Sequence, residues 1–330
     1  MDTASSQCNS LRVLSHALPS PSIPGHAYPI IIDSIRTQLS AHRLLWINLL
    51  HAVPGRFNLA DLPRSPPTTP GLPLGGDDYF STKIFDSAVS AVDYENDSTL
   101  NITRPQPLVP PASVNLSIVE RYIPPASANE FTDLFNPKGA SLLVDRLVEL
   151  SPGNGSLLFI YPTRKGAQAF MSHYLCPILD PLLRSMVVVN GFSADLSSSI
   201  GCMSAVDKLY DFETMSQRAK WLCREMNGTS RSALDRLHGV QGAFSVVHSA
   251  KHEVALDRSI WSSWWVKQEK PRVRAAVSKY FRLAKRMPAD TEIMPTSLIQ
   301  EVLDGVANKP CKSIPSKSIE IGVFVFKRER

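Results

Sequence analysis

Residues 155–170, GSLLFIYPTRKGAQAF, run without a gap from a small turn through an apolar, β-favouring stretch to a proline stop and a helix start. A strand that turns directly into a helix is the repeating step of an α/β sheet, and corners of this kind are where such sheets hold phosphates and nucleotides. The loop Tyr161, Pro162, Thr163, Arg164 is therefore a candidate ligand position, with Gly166 easing the start of the helix.

Outward from that corner the alternation recurs. Leu11–Leu14 begin a strand that prolines end; PIIIDSIRTQLSAH sets Ile31, Ile35 and Leu39 four apart behind Pro29, as a helix requires; LLWINLLHAV is a fully buried strand before Pro54 and Gly55. Strand, helix and strand within about 45 residues make one βαβ unit. Residues 54–112 are Pro-rich and read as an ordered insertion or flap, because Phe57, Leu59, Leu62, Tyr79 and Phe80 give them apolar contacts to make. A short helix is predicted there around KIFDSAVSAV.

From residue 113, VNLSIVERYIPP is a strand with a proline stop, and Ser127 with Glu130 predicts a capping box. Leu142, Leu143, Leu147 and Leu150 give the next helix one apolar face. GAQAFMSHYLCPILDPLLRSM is helical with a bend or restart at Pro177 and Pro181; VVVNGF reads as a short strand, and helices follow around 204–226 and 230–238. GAFSVVHSAKH is a strand, the segment around IWSSWWVKQEKPRVRAAV a pair of helices split at Pro271, PTSLIQEVLDGVA a helix and SIEIGVFVFKRE a last strand. The expected architecture is a single α/β domain over 1–330: a mostly parallel open sheet with helices on both faces, a flap at 54–112 and a helical C-terminal elaboration at 260–310.

Composition narrows the class. An apolar fraction of 43% over 330 residues suffices for a large core. No apolar run approaches the roughly 20 residues that span a bilayer. MDTASSQCNS lacks a basic-then-apolar leader, so a cytoplasmic or nuclear protein is expected rather than a secreted one. The five cysteines, at 8, 176, 202, 223 and 311, are odd in number and far apart, and are expected reduced. Net charge is +5, concentrated in residues 251–330, which hold 16 Lys and Arg against 9 Asp and Glu.

Several chemistries are excluded by what they need. PTRKGAQ resembles part of a helicase corner, but the Gly-Lys-Thr/Ser loop that cradles phosphates is missing. No G-x-S-x-G elbow or H-E-x-x-H pair exists, GGDDYF at 75–80 is ordinary loop chemistry, and no metal is expected. Trp261, Trp264 and Trp265 before Lys267, Lys270, Arg272, Arg274, Lys279, Arg282, Lys285 and Arg286 suit nucleic acid or an anionic surface; the helical spacing of Val273, Val277, Phe281 and Ala284 makes the segment first an amphipathic helix with solvated charges.

Laid end to end, these elements resemble the class I S-adenosylmethionine-dependent methyltransferases, of Rossmann-like topology. Strand one falls at RVLSHAL, two at LLWINLL, four at VNLSIVERYIPP, five at GSLLFIYPT and the last at IEIGVFVFKRE. The Pro-rich style and the GSLLFIYPT corner also resemble methyltransferase-like proteins of filamentous fungi. The resemblance implies S-adenosylmethionine as cofactor, with Ser15, His16 and His51 as its binding candidates. Ser15–Ser20 stand where the family has E/D-x-G-x-G, and His51 where it has the acidic residue that binds the ribose. Tyr122-Ile123-Pro124-Pro125 resembles the Asn/Asp-Pro-Pro-Tyr motif that positions the acceptor, which makes Tyr122, Pro124 and Pro125, with Tyr161, Thr163 and Arg164, the substrate-binding candidates. Glu120 and His51 are the candidate proton acceptors. Three functions are implied: methyl transfer to a small-molecule acceptor, a catalytically inactive version of the fold that binds a protein partner as a scaffold, and, more weakly, nucleic-acid or anion binding through the basic helix.

Overall fold

The computed structural model describes residues 10–39, 45–55, 57–63, 82–91, 106–228, 242–283, 294–308 and 317–329. Strands β1 (Ser10–Leu18), β2 (Leu45–Val53), β3 (Thr82–Ser90), β4 (Leu116–Arg121), β5 (Ser156–Pro162), β6 (Ala243–Val254) and β7 (Ile319–Glu329) form one sheet in the order β3-β2-β1-β4-β5-β7-β6. The first five are parallel, and β7 runs antiparallel between β5 and β6. This is the doubly wound order with an antiparallel strand inserted before β6, the Rossmann-like methyltransferase topology. The chain winds outward from β1 through β2 to β3, then returns to lay β4 on β1's other side, so direction reverses between β1 and β4.

Burial follows from that winding. β1 is buried continuously from Val13 to Ala17, as a parallel strand covered on both faces must be. Helix α1 (Tyr28–Leu39) lays Tyr28 and Ile32 on Val13, Ala17, Ile47, Leu49 and Ile118. Side chains alternate across a strand, so His16 faces the other way, where α3 (Leu142–Glu149) brings Arg146 to its ring. The larger core joins α3, β5 and β7 to the helices that follow.

Four local expectations are corrected. KIFDSAVSAV is not a helix: it supplies β3, paired with β2 through nine register positions from Leu45↔Thr82 to Val53↔Ser90. Alternation of half-buried Ile84, Asp86 and Ala88 with exposed Phe85 and Ser87 is a period of two, and it places part of the 54–112 insertion inside the sheet. Ser127 caps nothing. The short α2 (Asn129–Thr132) has Ala128 at its start without a side-chain cap, because Glu130 is bonded to the buried Arg121 guanidinium at 2.5 Å, a stronger partner than an amide. VVVNGF continues a helix: α4 (Arg164–Ala169) passes through a π-turn (Phe170–Leu175) into α5 (Cys176–Asn190), which Gly191 ends at φ +65°. The π-turn puts Pro177 in a first turn, where a missing amide costs little.

The fourth correction is at Pro271, which splits nothing. After α6 (Ala194–Gly201), α7 (Phe212–Met226) and β6, helix α8 (Arg258–Leu283) runs through that proline unbroken and α9 (Pro295–Asn308) follows. Trp261, Trp264 and Trp265 before the proline and Val273 and Val277 after it are buried along the same helix, which packing holds intact. Arg272 donates to the carbonyls of Ser199, Ile200 and Cys202, and so caps the C-terminus of α6 from α8. The helix expected at 230–238 lies outside the described residues.

The opening corner is closed by β7. Thr163 caps α4 by accepting from the Gly166 amide at 3.1 Å and donates to Glu320 Oε1 at 2.9 Å. A Cβ on Gly166 would lie 1.9 Å from the Glu320 carbonyl oxygen, so glycine is required for the approach of α4 to β7. Gly166→Ala is expected to lower unfolding free energy by on the order of 3 kcal/mol in urea titrations, and Gly201→Ala to change it by less than about 1 kcal/mol. The second site differs because its new Cβ would meet only Leu183, at 3.4 Å.

Candidate functional site

Where winding reverses, the carboxyl ends of β1 and β4 leave a crevice, the position at which open α/β sheets bind ligands. In this chain Glu120 reaches into it from β4. Its Oε2 accepts from the Ala27 amide at 2.6 Å and from the Tyr122 hydroxyl at 3.1 Å, and its Oε1 accepts from the Tyr28 amide at 3.2 Å. A carboxyl group from one strand thus caps the helix that follows another, at the positive end of the α1 dipole. Burial pushes the Glu120 carboxyl up to about 7, against the pull of the Ala27 and Tyr28 amides and the Tyr122 hydroxyl. The same burial, with the Glu120 charge beside it, raises the Tyr122 phenol.

The β1–α1 turn is packed from outside by α8. Trp264 lies parallel to Tyr122, with centroids 5.6 Å apart and planes 15° apart, and its ring is 4.6 Å from that of His26. Gly25, at φ +82°, makes the contact feasible: a Cβ there would be 2.4 Å from Ile260 and 2.8 Å from Trp264. His26 Nδ1 stands 2.9 Å from the Ser22 carbonyl, which assigns the proton to Nδ1 in the neutral ring. Burial lowers the His26 pKa to about 4, aided by Lys267 and opposed by its bonds to the Ser22 and Leu18 carbonyls.

His51, near the end of β2, is fully buried on the same face. Its Nε2 stands 3.1 Å from Asp86 Oδ1 on β3, and its ring meets Tyr28 edge-on at 5.4 Å. Ser15 is its register partner on β1. Ser15 Oγ, His51 Nδ1 and the Tyr28 hydroxyl are buried without a hydrogen-bond partner among the described residues.

The predicted site residues separate into three groups. Glu120 and Tyr122 share the crevice, and His51 is joined to them through Tyr28. Ser15 and His16 lie within β1, which continues to Leu18, so the turn expected at 15–20 in fact spans 19–27. His16 faces α3, where Arg146 stands 3.2 Å from its Nδ1; burial, then Arg146 and Arg121, lower its pKa. Arg146 pairs with Glu149, which also accepts the Leu108 amide at 2.5 Å, so α3 fastens the end of the 54–112 insertion.

Tyr161, Thr163 and Arg164 form the third group and serve the closure of the sheet. Tyr161 donates to Glu130 at 2.7 Å, and Arg164 Nε to the Leu209 carbonyl at 2.6 Å. Pro124 and Pro125 are buried, and the Pro124 carbonyl accepts from Gln268 of α8 at 2.8 Å. His26, Tyr28, Asp86 and Trp264 were not anticipated as site residues. Gly25 before a helix start was the available signal for the first two; Asp86 was hidden by the helical reading of β3.

At the positions that the resemblance assigns to S-adenosylmethionine, the described residues are engaged with one another. The glycine of the β1–α1 turn makes room for Trp264 and Ile260, the first amides of α1 are taken by Glu120, and the polar residue near the end of β2 is a histidine engaged with Asp86. Among the described residues no group of three or more His, Cys, Asp or Glu could hold a metal, and no helix is long and apolar enough to cross a membrane.

No protein-family model matches the chain, and no curated protein matches it. Solved structures similar to it include a putative type II methyltransferase from Anaeromyxobacter dehalogenans, 10% identical, covering 98% of this chain and 90% of that one at a TM-score of 0.24. Another is a coclaurine N-methyltransferase bound to N-methylheliamine and SAH, 10% identical, covering 97% of this chain and 66% of that one at a TM-score of 0.27. At such TM-scores the likeness carries no weight, and the methyltransferase-like fold stands on the strand order and the antiparallel β7.

Glu120 and His26 give stability opposite dependences on pH. The folded protein keeps a proton on Glu120 from about 4.5, the unfolded value, to about 7, so that contribution is full below this window and falls as pH rises through it. The unfolded chain protonates His26 below about 6.5 and the folded protein only near 4, so its contribution is full above 6.5 and lost as pH falls. The two slopes oppose each other between about 4.5 and 6.5. Relative to wild type, Glu120→Gln is expected to gain on the order of 3 kcal/mol as pH rises from about 4.5 to 7 in chemical denaturation, and His26→Asn to lose a similar amount as pH rises from about 4 to 6.5.

Proposed function

We propose that this methyltransferase-like chain works as a binding or scaffold protein, its cofactor corner filled by its own side chains. The observation that carries the reading is Glu120. It holds the first amides of α1, which an anionic ligand would otherwise meet, and Trp264 on Tyr122 seals the same corner from outside. A ligand entering there would have to replace two amide hydrogen bonds to a buried carboxyl group and a buried ring contact.

S-adenosylmethionine-dependent transfer of a methyl group to a small-molecule acceptor is the second reading, and one observation favours it. The Glu120 carboxyl, near 7 and bonded by Tyr122 at the end of β4, is a group of the right kind to take a proton from an acceptor at neutral pH. His51, oriented by Asp86, is the second proton acceptor in that reading.

Thermal melts separate the two, because a ligand that binds only the folded state must stabilise it. With S-adenosylmethionine or S-adenosylhomocysteine at about 1 mM, the expected melting temperature is that of the protein alone; a rise of several degrees supports the enzyme reading instead.

A further inference from the structure

Helix α8 carries seven cations and one acid between Arg258 and Leu283. The acid, Glu269, is fully buried and paired with Arg272. Two of the cations serve the fold: Arg272 caps α6, and Arg258 donates to the Val306 carbonyl at 2.9 Å. The other five, Lys267, Lys270, Arg274, Lys279 and Arg282, are exposed, and no ion pair or hydrogen bond among the described residues engages them. At 100° per residue they spread over one half of the helix surface and extend for about 22 Å along its axis. Lys270 and Arg274, with Pro271, Ala275 and Ser278, line an open groove of about 540 Å³ on that surface.

The outer face of α8 thus carries five cations among uncharged residues such as Pro271, Ala275 and Ser278, with no acid of its own among them. Such a face is attractive to negative charge. Nucleic acid and an acidic protein are the two classes that offer a line of negative charges. A single strand is held chiefly by stacking its bases on exposed aromatic rings. The three tryptophans of this helix are turned inward, each 1% exposed or less, and stack on nothing that comes from outside. We propose that the outer face of α8 binds an acidic segment of a partner protein, its carboxylates matched to Lys267, Lys270, Arg274, Lys279 and Arg282.

The test uses the full chain and two fluorescent probes of equal length, a twelve-residue polyglutamate peptide and a twelve-nucleotide oligothymidylate, titrated by anisotropy at low and physiological salt. The peptide is expected to bind at least tenfold more tightly than the oligonucleotide and to weaken as salt screens the charges. Lys270→Gln/Arg274→Gln/Lys279→Gln, neutral changes at exposed positions, are expected to cost tenfold or more in peptide affinity with the melting temperature unchanged. Lys165→Gln/Lys208→Gln/Lys220→Gln, placed elsewhere, serve as the matched control. Tighter binding of the oligonucleotide overturns the proposal in favour of nucleic acid. Equal loss in both triple variants, or no peptide binding, overturns it in favour of a solvated face. None of these outcomes depends on how the protein responds to S-adenosylmethionine.

Discussion

Glu120 ties the two halves of the sheet together. It belongs to the strand laid down after the chain reverses, yet its oxygens hold the amides that begin α1, in the half laid down first. Tyr28, at the start of that helix, then reaches His51 on β2, and His51 reaches Asp86 on β3. One carboxyl group therefore anchors a series of contacts, part hydrogen bond and part ring packing, that runs from β4 through the start of α1 to β2 and β3. Removing it would leave buried amides unsatisfied, and leaving it ionised in a low-dielectric crevice is what raises its proton affinity.

The far side of the sheet uses paired charges for the same purpose. Arg121 bonds Glu130 and Gln268, Glu130 accepts from Tyr161, and Gln268 donates to the Pro124 carbonyl. Strand β4, strand β5, the short α2 and helix α8 are thereby set in one register. Buried ion pairs of this kind contribute little net stability, because desolvation offsets attraction; their geometric demands fix which surfaces may meet. That constraint places Trp264 over the β1–α1 turn, and the state of the crevice is a consequence of how α8 is docked.

Much of the architecture was legible in the sequence because apolar runs with proline stops mark parallel strands, as at Leu45–Val53 and Ser156–Pro162; the first of these is not the fully buried strand expected, since Trp46 is exposed and Asn48 and Leu50 are half-buried. β3 was not legible. Its Asp86 and Ser87 interrupt the apolar pattern, and at an edge of the described sheet a strand takes its identity from its neighbour's hydrogen bonds rather than from its own composition. Pro271 misled for a related reason: it signals a broken helix locally, and tertiary packing outweighs the signal. Glu120 and Tyr122 were identifiable from their place at the end of a strand. Their actual partners, Ala27, Tyr28 and Trp264, are separated from them in sequence by roughly 90 to 140 residues, a distance over which no local pattern operates.

The place of β7 bears on how the protein is made. β5 pairs with β7 on one side, and residues 163–318 intervene before that partner exists. While α4 to α9 are being synthesised, that edge of β5 has no partner for its backbone N–H and C=O groups, and β6 likewise waits for β7. Unpaired edges are templates for pairing with other strands, so this topology leaves β5 open to mispairing until the last strand arrives.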